Sequence, residues 1–175
     1  MFSSISDAID ADAPDRALRL AAAERAAALA LPSPELEVWR YSRIAELVAS
    51  MDVHDVFDEL NAAYHRTVAV TVPAGKVLAD PIVVTHHIEG NGVALYPRLV
   101  IHAGADSEFT VVERFESADD TEALVVPRLV VHASQAARVS YLGINLLGTK
   151  VWQLGHQQAK EQRSWKRFLP GRRKP

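Results

Sequence analysis

Seven histidines and no cysteine bound the chemistry open to this chain. Without thiolates there is no disulfide and no thiolate-ligated zinc or iron–sulfur site within it. His86 and His87 are adjacent, so on a strand they point to opposite faces and do not share one ion. His102 and His132 hold equivalent places in a repeat described below. They are expected to stack on one face, one coil apart, but two imidazoles without a third ligand or carboxylate make a weak metal site. Acid–base chemistry needs positioned carboxylates. Glu113, Glu116 and Asp119-Asp120 are the candidates, and nothing in their spacing separates them from a solvated acidic patch. Gly90-Asn91-Gly92 lacks the lysine and following helix of a phosphate loop, and reads as a tight turn using glycine at positive φ. No catalytic, cofactor-binding or metal-ligating residue is therefore assigned.

Trp39-Arg40-Tyr41 has the composition of a base-stacking platform. The simpler expectation is that Trp39 and Tyr41 anchor a helical piece on the rest of the fold. Nucleic acid and membrane are not expected as partners. In a chain of net charge −3, Lys160, Arg163, Lys166, Arg167, Arg172, Arg173 and Lys174 stand against one acid, Glu161. Residues 160–175 are read as a solvated basic tail, probed by charge alone. No basic stretch followed by an apolar run opens the chain, and no run of about 18 apolar residues occurs, so a cytoplasmic protein is expected.

The elements that must position these residues change character near Arg66. Before it the pattern is helical. Residues 15–30 are rich in Ala, Leu and Arg, with Asp12 as the expected cap and Pro14 and Asp15 in the first turn. Leu18, Ala21, Ala22, Arg25, Ala26 and Leu29 form its stripe, and Leu31-Pro32-Ser33-Pro34 ends it. Further helical pieces are expected over 35–50 and 52–63, none stable without something larger to dock on. After Arg66, β-branched runs dominate: 67–72, 81–85, 98–101, 109–112, 124–126, 129–131, 139–142 and 144–147.

One repeat decides the expected architecture. Pro97-Arg98-Leu99-Val100-Ile101-His102-Ala103 returns about 30 residues later as Pro127-Arg128-Leu129-Val130-Val131-His132-Ala133. Each copy is followed by small and polar residues and then by another apolar strand. A β-rich unit of this length cannot bury its apolar face alone, whereas stacked copies pair in parallel and close a continuous core. An antiparallel sandwich is the rival arrangement of two matched units.

Leu31-Pro32, Glu37 and Trp39-Arg40-Tyr41-Ser42 resemble the N-terminal box of the SufD branch of the SufB/SufD family, with Ser42 where Thr is usual. Leu95-Tyr96-Pro97-Arg98, the run Thr110-Val111-Val112-Glu113-Arg114-Phe115-Glu116-Ser117 and Trp152-Gln153-Leu154-Gly155-His156-Gln157 resemble its core strands. The residues carrying the resemblance, Leu31, Pro32, Glu37, Trp39, Arg40, Tyr41, Pro97, Arg98 and Glu113, are expected to be structural. The resemblance implies a right-handed parallel β-helix after a small helical region. It implies a scaffold, not an enzyme, in SUF-system iron–sulfur cluster assembly, paired with a SufB-like β-helix protein and, in full-length relatives, with a SufC-like ATPase. The cluster is implied for the assembled complex only.

The expected organisation is a helical region over 1–64, few β-helix coils over 65–159 and the basic tail over 160–175. The family's C-terminal helical domain, its late-strand histidine and its ATPase-docking surface have no counterpart positions here. The expectation that follows is a truncated family member with an incomplete β-helix, prone to self-association through an open end. A β-helical carbohydrate-active or ligand-binding domain and a non-functional gene fragment are the alternatives.

Overall fold

The computed structural model describes residues 9–29 and 53–161. Two helices come first, α1 (Arg16–Ala28) and α2 (Val53–Tyr64). Ten strands follow: β1 (Arg66–Val72), β2 (Ile82–Ile88), β3 (Val93–Leu95), β4 (Pro97–Ala103), β5 (Glu108–Ser117), β6 (Ala123–Val125), β7 (Arg128–Ala133), β8 (Arg138–Leu146), β9 (Val151–Gln153) and β10 (His156–Glu161). They form three sheets, ordered β1-β4-β7-β10, β2-β5-β8 and β3-β6-β9. Every pairing is parallel. Each coil thus gives one strand to each sheet, and β10 opens a fourth rung. The two copies of the repeat lie one on the other, Arg98 against Arg128 through Ala103 against Ala133. This is a parallel β-solenoid of three coils, and the sandwich is excluded.

Burial follows from the stacking. Leu99, Ile101, Val111 and Val125, all in the second coil, are 0 % exposed. Val68 pairs with Leu99 from the first coil yet is 41 % exposed. Only the second coil has a neighbour on both sides in all three sheets, so its inward side chains are enclosed above and below.

The turns between the first and second strands of each coil also stack. Gly75, Asp106 and Ala136 occupy equivalent places, three residues beyond the paired Val72, Ala103 and Ala133, and all have positive φ of 55–68°. Glycine is required two positions earlier in the second coil. A Cβ on Gly104 would lie 2.3 Å from the Ala74 backbone nitrogen.

Several expectations are corrected. Asp15, not Asp12, is the N-cap residue of α1, and it makes no side-chain cap bond. Its carboxylate instead accepts from Arg19 Nε at 2.8 Å, a charged pair one turn on that outcompetes a neutral amide. Leu18 is 74 % exposed, and α1 buries Ala22, Ala23 and Ala26. Small residues let α1 lie close against α2, where Ala63 joins the same cluster. Runs 139–142 and 144–147 are one strand, β8, with Gly143 inside it. Strands β3 and β9 are only three residues long and β10 is mostly polar, so all three fall outside the β-branched runs. They form because the neighbouring rung offers a ladder. Lys160 and Glu161, expected in the tail, pair with His132 and Ala133. The helix expected over 35–50 lies outside the described residues.

Candidate functional site

In β5 the inward positions are Phe109, Val111, Glu113 and Phe115. Glu113 was expected in a solvated patch. It is instead 3 % exposed, inside the solenoid. A carboxylate there is costly unless both oxygens find donors. Donors come from the rungs on either side. His86 Nε2, on β2, lies 2.9 Å from Oε1, and the Tyr141 hydroxyl, on β8, donates to Oε2 at 2.6 Å. The His86 ring stacks on Phe115, its register partner, at 4.7 Å.

Tyr141 reaches its partner on a diagonal. It pairs with Val111, while Glu113 pairs with Gly143. A Cβ on Gly143 would sit 3.4 Å from the tyrosine hydroxyl, so the bare glycine leaves the path along the strand open. Burial and the adjacent Glu113 carboxylate push the Tyr141 phenol far up, keeping it a donor. One carboxylate thus ties three successive rungs together. With both oxygens engaged, it is placed to hold the rungs in register; a general base would need one oxygen free for a substrate proton.

Beyond this network, on the open side of the third coil, lies a cavity of about 410 Å³. Its walls include Glu113, Phe115, Leu129, Tyr141, Asn145, Gln153, His156 and Gln157. Among the described residues, β8 and β9 have no partner strand on this side.

A second polar group fixes the helices to the coils. Asn61 of α2 is 1 % exposed. Its Nδ2 donates to the carbonyls of Pro97 (3.1 Å) and Val126 (2.8 Å), and its Oδ1 accepts from Arg98 Nε (2.9 Å). Asn61 thus joins α2 to the Pro97 backbone and the Arg98 side chain, away from the interior Glu113. Asp58 lies 3.2 Å from Arg128 Nη1 and 2.8 Å from His156 Nδ1, joining α2 to the third and fourth rungs. Burial, then Arg128 and Arg19, lower the Arg98 guanidinium to about 10. Burial, then Arg98 and Arg19, lower His65 to about 4, against the opposing pull of Asp15. The neutral His65 ring shares a 2.9 Å hydrogen bond with Thr67 Oγ1 through Nδ1.

Leu31, Pro32, Glu37, Trp39, Arg40 and Tyr41 lie outside the described residues. Sequence reasoning missed Asn61, His86 and Tyr141 as members of these networks. An asparagine in an otherwise apolar helix stripe was the one available signal for Asn61. Nothing local marked the other two, whose roles depend on which residue the adjacent rung presents. The remaining candidates are simpler. Gly90 and Gly92 have positive φ, as a tight turn requires, and Asn91 Oδ1 accepts from the Glu122 amide of the next coil at 2.9 Å. His87 pairs with Glu116 at 2.8 Å on the outer face, where Arg114 also meets Glu116. Among the described residues no group of three or more His, Asp or Glu is arranged to hold a metal ion. None of their helices is long and apolar enough to cross a membrane.

Residues 85–166 match the family described as SUF system FeS cluster assembly, SufBD core domain. That segment runs from within β2, through the second and third coils, past β10. Over these residues the chain is similar to that core domain. No curated protein and no solved structure matches the chain.

Proposed function

We propose that this chain, a SufBD-core solenoid, is a cytoplasmic scaffold of SUF iron–sulfur cluster assembly, of the SufD type, acting by contact with a SufB-like β-helix partner. The match over residues 85–166 carries the reading. The architecture supports it. A parallel solenoid whose β8 and β9 edges have no described neighbour offers main-chain donors and acceptors to a further strand, and the cavity beside Tyr141 and Asn145 offers space for its inward side chains. The engaged Glu113 favours a scaffold over a catalyst. A SufC-like ATPase joins such a complex through its partner, and the cluster is the complex's cargo.

The test is co-purification of the full chain with SufB-like and SufC-like proteins. Retention of the SufB-like partner is expected, with loss on Asn145→Lys, which sets a charge pointing into the open end. Failure to retain either partner removes the proposed function and leaves the fold untouched. Pairing of two copies through the same end instead shows as concentration-dependent sedimentation without any partner.

A further inference from the structure

The outer side of the β2-β5-β8 sheet changes character from one coil to the next. On β5 the outward residues are Thr110, Val112, Arg114 and Glu116, and their register partners on β8 are Ser140, Leu142, Ile144 and Leu146. A charged pair on the second rung is thus followed by two aliphatic side chains on the third. The inward side changes in the opposite sense: Glu113 pairs with Gly143 and Phe115 with Asn145. Past Tyr141, β8 therefore carries its apolar residues on the outside. Val83 of the first coil pairs with Val112, which pairs with Leu142, so an aliphatic row also runs across the sheet. Val83, Leu142 and Leu146 are 58 %, 54 % and 52 % exposed, and Val112 and Ile144 are half-buried. Exposed aliphatics scattered singly are ordinary, but a contiguous patch with a polar rim marks an interaction surface. The outer face of the β1-β4-β7-β10 sheet is the contrast. Its aligned column is Thr71, His102, His132 and Lys160, with the two imidazole rings stacked at a centroid separation of 5.0 Å.

We propose that the outer face of the β2-β5-β8 sheet is a dimer interface for a second copy of this chain, packed sheet on sheet. Charge selects that occupant. Arg114 and His87 both meet Glu116, so the face holds no uncompensated charge that would call for an oppositely charged partner. An identical face is also complementary to it. With a twofold axis lying across the strands between Arg114 and Glu116, each Arg114 stands over Glu116 of the other copy, and each Ile144 over Leu146. Area sets the strength. Three strands about 4.8 Å apart, with about eight residues each rising about 3.3 Å, give a footprint of roughly 400 Å². Counting side-chain relief on both copies, the contact buries about 1,000 Å², below the 1,200 Å² or so of stable complexes. The dimer is therefore weak and reversible. Because each copy uses the same face, assembly closes at two.

Sedimentation velocity of the full chain from about 5 μM to about 500 μM spans the range of such a weak contact. The expected result is a reversible shift from monomer toward dimer, with no larger species. Leu142→Lys and Leu146→Lys each weaken the dimer at least tenfold. Both side chains are more than half exposed, so the variants keep the circular dichroism and urea midpoint of the parent. Asn145→Lys, inward at the open end, leaves dimerisation unchanged, which separates this face from end-to-end pairing. A chain that stays monomeric throughout overturns the proposal, as does a dimer that survives both lysine variants, loss of the dimer in Asn145→Lys, or growth beyond two copies. A monomeric chain that loses a SufB-like partner on Leu142→Lys overturns it too, by giving the face to that partner.

Discussion

Replacing Tyr141 by Phe isolates one bond in the link that joins three rungs through the buried Glu113. The hydroxyl donates to Glu113 at 2.6 Å, and Glu113 is 3 % exposed. Hydrogen bonds to charged acceptors contribute about 1.5–3 kcal/mol. The tyrosine side faces the open cavity, where water can replace the lost donor, which places the expected cost near 1.5 kcal/mol. Glu113→Ala removes the acceptor for both neighbours and leaves a void, with an expected cost of about 3–5 kcal/mol. In the double variant the Tyr141 contribution has already gone, so the cycle should return a coupling of about 1–2 kcal/mol. Urea unfolding followed by circular dichroism measures each variant, read as a shift in midpoint at constant slope. A Tyr141→Phe cost below about 0.5 kcal/mol, or strictly additive single effects, would refute the idea that Glu113 carries a load between rungs.

Asn61→Ala should cost about 3 kcal/mol, since it leaves two carbonyls and an arginine donor without partners. Hydrogen exchange should show α1 and α2 losing protection before β4 and β7; uniform loss across all four elements would contradict a local clamp. Ala136→Gly should stabilise by about 0.5–1 kcal/mol, because alanine at φ 56° is strained by more than the entropy that glycine adds, and a lower thermal midpoint would count against it. His65 is held neutral, its value falling from 6.5 to about 4, so the unfolded chain binds more protons between those values. Stability is therefore complete above about pH 6.5 and falls by up to about 3 kcal/mol as the pH drops toward 4. His65→Gln should flatten that part of the profile, and an unchanged slope would assign it to other groups.

What could be read in advance was whatever repeats. Pro97–Ala103 and its copy have the same residue types at the same spacing, so their stacking was legible as a parallel ladder. The strands that escaped, β3, β9 and β10, are too short or too polar to stand out alone and hold their shape through a neighbour. The same dependence hid the interior network. Glu113 sits in a run where alternation puts it inward, but its partners lie 27 and 28 residues away on either side. Distance in sequence gives no warning that His86 and Tyr141 converge on it. Leu18 was misjudged for the opposite reason. Periodicity favoured the larger side chain, whereas close approach of α2 selected alanine.

The constant register between β4 and β7 and between β5 and β8, thirty positions in each case, has a modular consequence. Duplicating residues 98–127 in tandem would insert a whole extra storey without disturbing the phase of those ladders. It would turn a molecule with one fully enclosed layer into one with two. For a nearest-neighbour stack, lengthening of this kind adds an interface of known composition each time, so the growth of stability with copy number would measure what a single storey is worth.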